Sequence, residues 1–97
     1  MTPGPMPREA AETLAARALA WLAGEPERLG RFLAETGADA QDLRARAADP
    51  DFLGFVLDFL LADEDALLAC AEALAMPPED AVRARAGLPG GDLPHWT

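Results

Sequence analysis

Between Asp49-Pro50 and Asp63, the residues Phe52, Leu53, Phe55, Val56, Leu57, Phe59, Leu60 and Leu61 leave almost no polar side on a single helix. A helix that is apolar around nearly its whole circumference has to be covered on nearly every side. In a chain of 97 residues, that requirement makes this segment the axis and the remaining elements its wrapping. Its start is marked by a capping acid, Asp49, followed by a proline suited to the first helical position. Only Asp51, Gly54, Asp58 and Ala62 break the apolar pattern, and their spacing assigns them to one narrow strip. The segment is too short, and too firmly interrupted by Asp58, to span a bilayer.

The flanking sequence supplies helices to do the covering. From about Arg8, the residues Ala11, Leu14, Ala15, Ala18, Leu19 and Leu22 recur at three- and four-residue steps, one apolar stripe on a helix that Gly24 ends. Glu25-Pro26-Glu27 opens a second helix with Leu29, Phe32 and Leu33 inward, and Gly37 supplies its left-handed terminus. Asp39 caps a short third helix reaching about Ala47, anchored by Leu43. After the central helix, Asp63-Glu64-Asp65 begins a fifth, whose inner face is Leu67, Cys70, Ala71 and Leu74. Met76-Pro77-Pro78 stops it and starts a sixth, with Val82 and Ala86 as its inward positions and Gly87 as its close. Six β-branched residues and no alternating run argue against strands. The expectation is an all-α fold: a single compact bundle of five or six short helices over residues 8–87. The proline-rich residues 1–7 are expected as a flexible arm, and the Pro/Gly-containing residues 88–97 as a flexible tail. A chain this small buries only about 60–65% of its surface, so the core should concentrate on Trp21, Phe32, Phe52, Phe55, Phe59 and the leucines.

Composition then removes most chemistry. The chain contains no Lys, Ser or Tyr, which excludes a catalytic serine, a Schiff-base lysine and a tyrosine acid. Seventeen acidic residues against eight arginines give a net charge of −9, which opposes binding to nucleic acid or to an anionic membrane and favours a basic partner. A single cysteine cannot form an internal disulfide, and no apolar leader opens the chain; both point to the cytoplasm. Cys70 and His95 are the one thiol–imidazole combination. His95, however, falls in the Pro/Gly tail, and Cys70 shares a helix face with leucine and alanine, as a small buried hydrophobe would. Asp63-Glu64-Asp65 could gather a hard cation, but adjacent acids cannot all face one ion, and capping of a helix N-terminus explains them better. No metal site, cofactor or catalytic residue is therefore expected.

Two polar groupings stand out. Arg28, Arg31, Arg44 and Arg46 hold half of the basic charge within the second and third helices. They form a candidate interaction patch for a carboxylate- or phosphate-bearing partner; the plainer reading pairs them with the chain's own acids. Asp58 interrupts the apolar helix and is a candidate structural carboxylate, paired with Arg31 or Arg44 or lying on a solvent strip with Asp51.

Two stretches carry a family resemblance. Pro26-Glu27-Arg28-Leu29-Gly30-Arg31-Phe32-Leu33, with Gly37 and Asp42-Leu43-Arg44, is one. Asp49-Pro50-Asp51-Phe52-Leu53, with Val56-Leu57-Asp58-Phe59-Leu60-Leu61-Ala62-Asp63-Glu64, is the other. Over roughly residues 10–86 the chain resembles the alphaproteobacterial family known as domain of unknown function 3572. The resemblance implies a short cytoplasmic helical protein of a bacterium; it implies no activity and no site residues. The residues themselves favour a small non-enzymatic module that binds another protein through an exposed helical face, with self-association compatible. A small-molecule or cation-binding regulator is the alternative. A hydrolase using carboxylates around Asp58 and Glu64 is a weaker one.

Overall fold

The structure, a computed structural model, describes residues 4–90. Its central helix, α4 (Pro50–Leu61), starts where the Asp49 carboxylate accepts the Asp51 N–H at 3.0 Å, with Pro50 in the first turn. Phe52, Leu53, Val56, Leu57, Phe59 and Leu60 are all buried along it. The covering elements are α1 (Arg8–Ala23), α2 (Pro26–Thr36), a 3₁₀ turn (Ala40–Asp42) leading into α3 (Leu43–Arg46), α5 (Glu64–Ala73) and α6 (Glu79–Ala86). No strand occurs among the described residues. α1 lies against α4 and α6 with its predicted stripe, Ala11 to Leu22, buried throughout, and α4 also packs on α6. α2 and α5 flank this inner trio. The all-α bundle of short helices is the architecture the helical spacings require.

The local signals act as their chemistry dictates. Asp39 accepts the Gln41 N–H, Asp63 accepts the Ala66 N–H, and Gly37 ends α2 in the left-handed region at φ 73°. The C-terminus of α5 has no such marker. α5 closes with the Met76 N–H donating to the Ala71 carbonyl and the Ala75 N–H to that of Glu72. That is the paired closure in which glycine usually sits, yet Ala75 holds the left-handed position at φ 54°.

Three expectations about the core need correction. On α6 the inward residues are Ala81 and Ala84, whereas Val82 is 46% exposed and Ala86 only half-buried. Two alanines let α6 sit close against α1 and α4, and a β-branched side chain on that face would hold it off. Trp21 is half-buried beside the core. Phe55 is 49% exposed, although it lies on the most apolar helix. The exposed residues of α4 and its C-cap are Asp51, Phe55, Asp58, Leu61 and Ala62, while Gly54 is buried beneath Arg85.

Both ends of the described chain are tied to α6. The Met6 N–H donates to the Arg83 carbonyl at 2.9 Å, and Arg83 Nε donates to the Gly4 carbonyl at 3.1 Å. Met6 packs against the core. Residues 4–7, expected in a flexible arm, therefore dock. Gly87 is a close-approach glycine: a Cβ there would collide with the Met6 carbonyl oxygen. At the other end, Leu88, assigned from sequence to the flexible tail, is 3% exposed and belongs to the core. Residues 91–97 of that tail, His95 and Trp96 included, lie outside the described residues.

Candidate functional site

The four arginines do not form one patch: Arg28 and Arg31 line a concavity of about 570 Å³ with Glu25, Pro26 and Glu27, and Arg44 and Arg46 are not part of its lining. Arg28 donates to Glu25 at 2.6 Å and lies 5.7 Å from the centre of the Trp21 ring. Arg31 donates to Asp63 at 2.9 Å and lies 5.7 Å from the Phe59 ring. Arg46 covers Phe52 at 5.4 Å. Arg44 is exposed and has no ion-pair partner among the described residues. Three of the four thus lie as cationic covers over aromatic rings, a cation–π arrangement that shields the edges of the core. Behind them, Phe32 stands edge-to-face with both Phe52 and Phe59, at 5.6 and 5.5 Å between centroids.

Asp58 is paired with neither Arg31 nor Arg44. Its partner is Arg85 of α6: Nε donates to Oδ1 at 2.6 Å, Nη2 to Oδ2 at 3.3 Å, and Nη1 to the Pro89 carbonyl at 3.0 Å. Sequence separation does not single out Arg85: it lies 27 residues from Asp58, as Arg31 does on the other side, and it carries no local mark. The absence of a side chain on Gly54, over which the guanidinium lies, is the nearest thing to a signal.

The remaining candidates have structural settings. Burial pushes the Cys70 thiol up to about 11, with Arg17 pulling weakly the other way, so the sulfur is neutral at physiological pH and a poor nucleophile. Its pairing with His95 falls outside the described residues. Asp63 is held below its ordinary 3.8 by the Arg31 hydrogen bond first and by the Ala66 backbone N–H second. No group of acids, histidines or cysteine able to hold a metal occurs among the described residues. Nor does any buried side-chain N or O atom there lack a hydrogen-bond partner.

The surface feature with shape and chemistry together is a groove bounded by α2, α4 and the start of α5. One part, about 440 Å³, is lined by Phe32, Glu35, Thr36, Phe55, Asp58, Phe59 and Ala62. A second, neighbouring part of about 400 Å³ shares Glu35, Phe59 and Ala62 with it and adds Arg31, Asp63, Glu64 and Asp65. The first part is walled by aromatic rings and the second by carboxylates. Phe55, expected in the core, lines the first part instead. At about 100° per residue, Phe55 lies ~40° from the line through Asp51, Asp58 and Ala62, and Gly54 lies ~60° from it on the other side. That arithmetic was the available signal.

Residues 8–91 match the family model described as "Protein of unknown function (DUF3572)". The chain belongs to this family. The match to DUF3572 takes in every helix and both parts of the groove, and extends the likeness carried by the α2 and α4 motifs. A search of the curated proteins and of the solved structures returned no match. DUF3572 is a family of unknown function, so membership brings no activity with it. Among the described residues no helix is long and apolar enough to cross a membrane.

Proposed function

We propose that this DUF3572 protein is a non-enzymatic interaction module that docks a partner protein on the groove between α2, α4 and α5. The carrying observation is Phe55: the helix with the most buried residues in the fold leaves one phenylalanine 49% exposed, inside the concave part of the surface. An aromatic side chain spans ~150–250 Å², so covering the exposed half is worth about 2–3 kcal/mol at ~25 cal/mol per Å². Anchors of this type dominate protein interfaces. The chemistry around it supports binding rather than turnover. Asp58 is neutralised by Arg85, Asp63 caps α5 and holds Arg31, and the one thiol is buried and protonated. The lone buried cysteine fits the reducing cytoplasm as the place of action.

Affinity capture from the native cell tests the reading, with Phe55→Ala compared with wild type and with Val82→Ala, an equally exposed apolar control on α6. A partner retained by wild type and Val82→Ala but lost by Phe55→Ala is the expected result. Equal recovery by all three overturns it.

A further inference from the structure

The groove's two halves identify its occupant. Building on the docking reading above, we infer that the partner presents an amphipathic helical segment with an apolar anchor and, one turn away, an arginine or lysine. The anchor sits on Phe55 and Phe59. The cation enters the neighbouring half between Glu35 and Glu64.

Charge carries the argument. The groove is lined by five carboxylates, Glu35, Asp58, Asp63, Glu64 and Asp65, against the single cation Arg31. Asp58 is matched by Arg85, and Asp63 by Arg31. Glu35, Glu64 and Asp65 have no ion-pair partner among the described residues. The positive end of the α5 dipole, about half a charge, is outweighed by the acids at that terminus. The apolar and acidic halves share Glu35, Phe59 and Ala62, so one short segment reaches both. A short amphipathic helix offers both chemistries on one face, because its side chains three or four residues apart lie ~5–6 Å from each other.

The same charges disfavour other occupants. A second copy would bring another net charge of −9 against this acidic rim, and like charges juxtaposed across an interface are strongly unfavourable. An anionic lipid surface or a nucleic acid meets the same repulsion.

Three synthetic peptides of about a dozen residues test the inference: one with leucine anchors and arginine one turn later, one with glutamate for arginine, and one with alanine for leucine. Affinity is measured at low and high salt, and contact by amide shifts in NMR. The arginine–leucine peptide should shift Phe55, Glu35, Ala62 and Glu64, and bind about tenfold or more tighter than either control. A Glu35→Gln/Glu64→Gln/Asp65→Asn variant, checked for an unchanged melt, should lose about tenfold of that affinity and most of its salt dependence. Equal binding of the glutamate peptide overturns the inference, as does equal binding of the alanine peptide. So does a dimer that Phe55→Ala disperses. In the first two cases the docking reading stands as long as Phe55→Ala still loses the captured partner; failure of that capture result instead removes the docking reading itself.

Discussion

Arg85 shows how much one residue can organise in a chain this small. Its side chain is 12% exposed, and it ties α6 to α4 through Asp58 and to the following turn through the Pro89 carbonyl. Gly54 makes room for it: a Cβ there would stand 3.1 Å from Nη1 and 3.2 Å from Cζ. Alanine is preferred to glycine inside a helix by about 0.8–1 kcal/mol. Adding it would shift the guanidinium by a few tenths of an ångström and weaken its hydrogen bonds, each worth ~0.5–1.5 kcal/mol, by about 1 kcal/mol in all. The two terms nearly cancel, so Gly54→Ala alone should move stability by less than ~0.5 kcal/mol, while in an Arg85→Ala background it should stabilise by about 1 kcal/mol. Chemical denaturation of the four proteins in the cycle measures both. Ala75 is the opposite case, a side chain where glycine fits better. With φ at 54° it carries the left-handed penalty of ~1–2 kcal/mol, partly offset by alanine's stiffer unfolded state. Ala75→Gly should therefore stabilise by about 0.5–1 kcal/mol, raising Tm by roughly 3–6 °C.

Within α4, two phenylalanines one turn apart have different settings. Phe59 is buried between Phe32 and the covering Arg31, so Phe59→Ala should cost ~3–5 kcal/mol. Phe55→Ala should cost roughly half as much, ~1.5–2.5 kcal/mol, because half of the side chain is already in water. Thermal melts of the pair separate a buried ring from a half-exposed one. The difference also marks the limit of reading elements from sequence. Helix existence, starts and most ends were legible because capping acids, prolines and Gly37 act within a turn of themselves. On α4 the apolar residues ran nearly all round, so periodicity could not decide which one faced out; only the angles of Asp51, Asp58 and Ala62 held that information. On α6 the larger apolar residue, Val82, drew the inward assignment, while close approach of three helices selected Ala81 and Ala84. The groove inherits this: its acids and its aromatic residues were all visible, and their meeting depended on the rotation of α4.

At the scale of the whole molecule, the information missing from the sequence is long-range pairing. Arg85 meets Asp58 across 27 residues and Arg83 meets Gly4 across 79, and no local pattern encodes either separation. The consequence is greatest at the N-terminus, where proline content suggested an arm free of the domain. In the fold, residues 4–7 run against α6. They supply two hydrogen bonds to Arg83, one from the Met6 N–H and one through the Gly4 carbonyl, and the partly buried Met6 side chain. They also furnish the Pro7 carbonyl that accepts the Ala11 N–H at the start of α1. Each net hydrogen bond is worth ~0.5–1.5 kcal/mol, and partial burial of a methionine adds on the order of 1 kcal/mol. Against this stands the cost of ordering a few residues, about 1–2 kcal/mol each, lower for the prolines whose φ is already set. The gains and costs are of similar size, so the docked arm contributes on the order of 1 kcal/mol, and in a domain of this size each kcal/mol moves Tm by ~4–8 °C. A chain beginning at Arg8 should therefore melt at least ~4 °C below the full chain, with its helical circular dichroism at low temperature intact. Gly87→Ala, which displaces the Met6 backbone while leaving the arm attached, should lower the melt in the same direction, and combining it with the truncation should add little further. An unchanged melt after removal of residues 1–7 would show that the arm contributes nothing to the fold.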